Sequence, residues 1–95
     1  MSTLFSLEGK NCLVTGASKG MGKAMASALA EHGANVVISS RKFDMCQKTA
    51  DEINRNVDED LAFPIAASIS EENQLSELVI KTRDKFGKID VLICN

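Results

Sequence analysis

Thr15-Gly16-Ala17-Ser18-Lys19-Gly20-Met21-Gly22 constrains this chain more than any other stretch. A short apolar run, Cys12 to Val14, precedes it; it is too brief for a helix and stops at Gly16, which predicts a buried strand. The period then changes. Met21, Ala24, Met25, Ala28 and Leu29 fall on one face at helical spacing, and Gly33 beyond His32 reads as a left-handed terminator, giving a helix over Gly20 to His32. A glycine-rich turn from strand to helix suits a phosphate. Gly16 takes the tight turn, Gly20 lets backbone approach an anion without a Cβ in the way, and Gly22 lets helix and strand pack closely. Unpaired amides at the helix start then face the anion. A Walker loop is excluded, because Met21 stands where its second glycine is required and Lys23 is followed by Ala24, which has no hydroxyl for magnesium.

The alternation continues to the end of the chain. Val36, Val37 and Ile38 are consecutive β-branched residues that suit a strand covered on both faces. Phe43, Cys46, Ala50, Ile53 and Val57 return to helical spacing. Leu61 to Ala67 reads as a third strand, and Pro64 within it predicts an edge position or a place where no ladder bond is needed. Ser70 suits an N-cap with Glu71 and Glu72 in the first helical turn. Leu75, Leu78, Val79, Thr82 and Phe86 form the buried stripe of that helix, Gly87 closes it, and Ile89 to Cys94 supplies a fourth strand. The order β-α-β-α-β-α-β implies a parallel α/β sheet with right-handed crossovers.

Composition bounds the function. The 95 residues, 44% hydrophobic and 25% charged, describe one soluble globular domain over 1–95 without linkers or repeats. A formal charge of -2 gives no electrostatic reason to expect nucleic acid or an anionic membrane as partner. Apolar runs fall far short of the ~20 residues needed to cross a bilayer. The start, Met1 to Ser6, lacks a basic segment before a hydrophobic core, so the expected location is cytoplasmic. Cys12, Cys46 and Cys94 form no Cys-x-x-Cys pair and read as small buried hydrophobes in a reducing compartment. With His32 the only histidine, no metal-ligand spacing exists, and His32 reads as a structural residue near a helix end.

The spacing Thr-Gly-x-x-x-Gly-x-Gly at Thr15, Gly16, Gly20 and Gly22 resembles the signature of the short-chain dehydrogenase/reductase family. Leu7-Glu8-Gly9-Lys10, Gly33-Ala34-Asn35-Val36 and Ile89-Asp90-Val91-Leu92-Ile93-Cys94-Asn95 extend the resemblance over the whole chain, the last looking like the family's run into Asn-Asn-Ala-Gly. The resemblance implies a three-layer, Rossmann-type doubly wound parallel sheet, truncated after the fourth strand. It also implies hydride transfer between a nicotinamide cofactor and a small carbonyl or alcohol substrate. In such folds an acidic residue after the second strand holds the adenosine ribose, whereas a 2′-phosphate requires positive charge. This chain has Ser39-Ser40-Arg41-Lys42 there, with Ser40 at the position the resemblance assigns to the acid. Arg41 offers a planar fork for phosphate oxygens, and Lys19 is a second cation, so NADP(H) is the expected cofactor. Ser68 stands where the family usually offers an Asp to adenine, Ile69 covers the base, and Asn95 matches the second asparagine of the shortened motif. The cofactor-binding set is therefore Gly16, Ser18, Lys19, Gly20, Met21, Gly22, Ser40, Arg41, Lys42, Ser68, Ile69 and Asn95.

No catalytic residue is assigned. The family relays its proton through a Ser and a Tyr-x-x-x-Lys pair, and the sequence contains no tyrosine. Ser39, Ser40, Ser68 and Ser70 have no nearby base that would make a nucleophile. Whether the chain alone is an enzyme stays open. The fourth strand, central in the parent architecture, would here be an exposed hydrophobic sheet edge. Together these features point to the N-terminal cofactor-binding part of a longer NADP(H)-dependent reductase, whose parent pairs as a homo-oligomer. The alternative is a non-catalytic, truncated nucleotide-binding module or isoform that interacts with a longer partner.

Overall fold

The computed structural model describes residues 6–17, 20–67 and 72–94. Among them strands and helices alternate as β1 (Asn11–Thr15), α1 (Gly20–Glu31), β2 (Asn35–Ser40), α2 (Phe43–Val57), β3 (Ala62–Ala66), α3 (Glu72–Phe86) and β4 (Val91–Cys94). All strands are parallel and the sheet order is β3-β2-β1-β4. Leu13 pairs with Val37 on one side and Leu92 on the other, and Val37 pairs in turn with Phe63. The chain steps outward from β1 to β3 and then crosses back to β4. With right-handed crossovers, that reversal puts α1 and α2 on one face of the sheet and α3 on the other.

Side-chain alternation along the strands confirms the two faces. Cys12, Val14, Val36 and Ile38 pack with Ala26 and Ala30 of α1 and Cys46, Ala50 and Ile53 of α2. Leu13 and Val37 pack with Ala67 and Leu78, and Leu75, Val79 and Phe86 close around them. Leu13 and Ile38 are fully buried, each contributing about 1.5–3 kcal/mol relative to an exposed side chain. Pro64 lies on an edge strand, as expected from its missing donor. β4 forms the opposite edge, where Leu92 is 52% exposed.

Two helical faces differ from the sequence reading. α1 buries Gly22, Ala26 and Ala30, not a stripe led by Met21, which is 71% exposed. A helix pressed close to a sheet selects the smallest side chains at its contact line, whatever their hydrophobicity. Met25 and Leu29 are half-buried on the flank, while Ala24 and Ala28 are exposed. Phe43, at the first position of α2, is likewise 51% exposed, and the buried stripe of α2 is Cys46, Thr49, Ala50 and Ile53. The Ser70 cap and Glu71 lie outside the described residues.

The amino end of the sheet is closed by side-chain hydrogen bonds. The Asn11 amide donates to Asp90 Oδ2 at 2.8 Å, and Asn35 Nδ2 donates to Asn11 Oδ1 at 3.0 Å. Asn54 Oδ1 accepts from the amides of Leu61 and Ala62 at 2.9 and 2.8 Å, while its Nδ2 donates to the Ala62 carbonyl at 3.0 Å. One residue beyond α1, His32 Nδ1 lies 2.8 Å from the Ala28 carbonyl, the structural role expected of it. Gly33 terminates the helix at φ +96.

Candidate functional site at the carboxyl end of the sheet

The carboxyl ends of the strands line up. Thr15 is level with Ser39 and Cys94, and Ser40 is level with Ala66. Because β2 and β4 leave β1 in opposite directions, this end of the sheet holds the topological switch point where open α/β sheets form their ligand crevice. The glycine turn crosses it. Gly16 has φ +63, and the Ala17 amide donates to the Ser39 carbonyl at 3.1 Å, so the turn folds over the end of β2. Gly20 opens α1 at φ +63, and a Cβ built there meets nothing within 4 Å. The helix therefore begins against open space, with no acidic side chain in its first turn to compete for an anion. Gly22 is buried against the sheet, as expected.

Beside this turn, β2 ends in a small polar cluster. Ser40 is half-buried; its Oγ lies 3.1 Å from Cys46 Sγ and accepts from the Lys42 amide at 3.4 Å. Lys42 is the N-cap of α2, extended at φ -112 and ψ 114, with no side-chain cap of its own. Arg41 and Lys42 are exposed and form no ion pair among the described residues. Lys23, in the first turn of α1, is committed to Glu52 of α2, whose carboxyl that contact holds below its usual range. Among the described residues, the positive charge in this region that is free of ion pairs thus belongs to Arg41 and Lys42.

Of the remaining expected site residues, Ser18, Lys19, Ser68, Ile69 and Asn95 lie outside the described residues. The chain leading towards Ser68 does reach the crevice, because the Ala67 amide donates to the Ser40 carbonyl at 2.8 Å. Sequence reasoning missed two features. Ser39 is 1% exposed and its Oγ has no hydrogen-bond partner among the described residues, an orphaned hydroxyl one residue short of the strand end. Cys46 reaches from α2 to Ser40, a contact made across a turn that no periodicity encodes.

An open helix N-terminus after a positive-φ glycine, with two cations at the end of the neighbouring strand that form no ion pair among the described residues, is chemically suited to an anionic group. Among the described residues no group of three or more His, Cys, Asp or Glu could hold a metal ion, and no helix is long and apolar enough to cross a membrane.

Comparison with known proteins agrees with this geometry. The family profile of short chain dehydrogenase matches residues 10–95. The chain is 39% identical over 92 residues to a 3-oxoacyl-[acyl-carrier-protein] reductase, FabG, of Thermotoga maritima, covering 94% of this chain and 35% of that protein. It superposes on the Pseudomonas aeruginosa RhlG/NADP active-site complex with a TM-score of 0.89 at 34% identity, over 100% of this chain and 37% of the other. A 3-ketoacyl-(acyl-carrier-protein) reductase from Brucella melitensis complexed with NADH gives 0.82 at 42% identity, over 92% of this chain and 34% of the other. The chain thus spans little more than a third of these relatives, over the part that carries the glycine turn. With the profile matching nearly its whole length and the Rossmann-type sheet in place, the chain belongs to the short chain dehydrogenase family.

Proposed function

We propose that this chain is the NADP(H)-binding part of an oxidoreductase that interconverts a small carbonyl compound and its alcohol, with residues 1–95 forming one cofactor-binding unit. The observation that carries the choice of cofactor is the end of β2. Ser40-Arg41-Lys42 presents two exposed cations and no carboxylate at the place that faces the adenosine ribose in such folds. An aspartate there would repel a 2′-phosphate, whereas the Arg41 fork matches its oxygens in two parallel hydrogen bonds. Lys19 of the glycine turn would add a third positive charge. Solved neighbours bound to NADP and to NADH both exist, so family membership leaves the choice to these local residues.

Each residue then has a binding task. Gly20 and Met21, with Ser18, offer backbone amides to the pyrophosphate, Gly20 beside open space, while Gly16 makes the turn and Gly22 lets the helix pack close to the sheet. By the family resemblance, Ser68 and Ile69 would take the adenine ring and Asn95 would stand beside the cofactor. When bound, the nicotinamide supplies or accepts the hydride. The chain's own residues hold and orient it, and none of them is assigned the proton transfer, since the sequence has no tyrosine.

Titration of NADPH and NADH into the protein expressed from its complete reading frame tests the reading. Saturable NADPH binding is expected, about tenfold or more tighter than NADH, which is the worth of one charge-assisted hydrogen bond. Equal affinities would overturn the cofactor choice, and no saturable binding of either would overturn the whole reading.

A further inference from the structure

We infer that Cys46 is a positioning residue for cofactor selection: its thiol holds the Ser40 hydroxyl and so fixes the turn that presents Arg41. The inference rests on the NADP(H) reading and deepens it.

The turn is anchored on both sides of Arg41. On one side, Ser40 Oγ lies 3.1 Å from Cys46 Sγ, and the Ser40 carbonyl accepts from the Ala67 amide at 2.8 Å. On the other, the Lys42 amide donates to Ser40 Oγ at 3.4 Å, and the Lys42 carbonyl accepts from the Cys46 amide at 3.2 Å. The contacts close a ring running from Ser40 through Lys42 to the first turn of α2 and back through the thiol. Arg41 sits at its crown with an exposed side chain. Cys46 itself is fully buried among Ile38, Ala50 and Ile53, so the sulfur cannot swing away without opening a void in the core.

Lys42 has no side-chain cap, and the Ser40 hydroxyl instead clasps the backbone of Lys42, accepting from its amide and donating to its carbonyl, both at 3.4 Å. A serine hydroxyl on a turn samples three rotamers, and these two long bonds to Lys42 hold the one that keeps the turn closed only weakly. The thiol selects that rotamer from below, where solvent does not compete. Sulfur is a soft, weak hydrogen-bonding partner, and its value here is placement rather than strength. With the turn ordered before ligand arrives, Arg41 meets the 2′-phosphate without paying the ordering entropy at that moment. NADH, lacking that phosphate, draws little from the same arrangement.

The test is the ratio of NADPH to NADH dissociation constants, measured by titration on the complete protein and its variants, with thermal melts run alongside. Cys46→Ala and Cys46→Val, the second keeping the core filled, are expected to weaken NADPH by roughly 3- to 10-fold, the worth of one modest hydrogen bond. NADH should move by less than about twofold. Cys46→Ser retains a hydrogen-bonding group and should restore the wild-type ratio. In a Ser40→Ala background, Cys46→Val should add nothing, since its effect runs through the missing hydroxyl. Equal losses for both cofactors, failure of Cys46→Ser to restore the ratio, or additive effects of the two substitutions would overturn the inference. A wild-type protein that prefers NADPH while every Cys46 variant matches it sinks only the role of Cys46; a wild-type protein with no preference sinks the cofactor reading as well.

Discussion

The two ends of the sheet are built on opposite principles. At the amino end, Asn11, Asn35, Asn54 and Asp90 close side-chain hydrogen bonds around the strand starts. At the carboxyl end, among the described residues, two cations lack ion-pair partners and the Ser39 hydroxyl is buried without a hydrogen-bond partner. The backbone lengths and the strands are the same at both ends. What differs is that the carboxyl end, beside its own hydrogen bonds, keeps charged and buried polar groups that the described residues do not answer. On the proposed reading, the amino end serves the fold and the carboxyl end serves the cofactor, the division expected when a parallel sheet places its crevice outside the strand carboxyl ends.

The largest effect that would test this division is at Asn54. Its side chain satisfies two amides and a carbonyl where β3 begins. Asn54→Ala should lower folding stability by about 2–4 kcal/mol, because backbone groups are left unsatisfied rather than merely unpaired with a favoured partner. NADPH affinity of the remaining folded protein should stay within about twofold of wild type. Chemical denaturation and cofactor titration on the same samples check both halves, and a matching loss of affinity would break the separation between the ends.

Arg41→Asp probes the other end. The exposed side chain makes no ion pair among the described residues, so melting should scarcely change. NADPH affinity should fall about 100-fold, as one charge-assisted contact is lost and a repulsive charge is introduced. NADH affinity should hold. A destabilised protein with an unchanged cofactor ratio would mean that the cation serves the fold.

These residues also mark how far the sequence can be read. The strands at Cys12 to Val14 and Val36 to Ile38, the edge position of the strand with Pro64, and the terminator Gly33 were all legible, because period and backbone restriction act locally. The contact face of α1 was not. Met21 outweighs Ala26 on any scale of hydrophobicity, yet the close approach of helix to sheet is a property of the pair, and it chose Gly22, Ala26 and Ala30. The site divides in the same way. The glycine turn and the Ser40-Arg41-Lys42 segment announce themselves by residue type, and the register does bring them to one end of the sheet. The Ser40 to Cys46 contact depends on a rotamer and on how α2 leaves its turn, neither of which a residue pattern specifies.

A smaller effect separates two glycines that share a backbone requirement. Gly20 and Gly33 both hold positive φ, at +63 and +96, so alanine costs each about 1–2 kcal/mol of local strain. Their surroundings differ. A Cβ on Gly33 would lie 3.4 Å from the Glu8 amide nitrogen, whereas one on Gly20 would project into open space. Because 3.4 Å is an ordinary contact distance, the two substitutions should lower the melting temperature by similar amounts, and Gly33→Ala should leave NADPH affinity alone. Gly20→Ala should weaken NADPH several-fold. The reverse assignment would place the ligand at the wrong end of α1.

The smallest expected effect is acid sensitivity at the closed end. The hydrogen bond from the Asn11 amide holds the Asp90 carboxyl below its usual range, helped by Lys88 at 3.3 Å and by Lys10, against a smaller opposing effect of desolvation. A carboxyl whose folded value is depressed contributes stability above its unfolded value, and that contribution is lost as pH falls through the folded one. Wild type should therefore melt a few degrees above Asp90→Asn near neutrality. The gap should begin to close as pH drops below about 4, the ordinary carboxylate range, and vanish under more acid conditions. Because Asp90 sits where β4 enters the sheet beside Asn11, the substitution should leave the NADPH to NADH ratio untouched at neutral pH. A melting gap that persists unchanged into acid would show that the carboxylate's charge contributes nothing there, and that shape alone closes this end of the sheet.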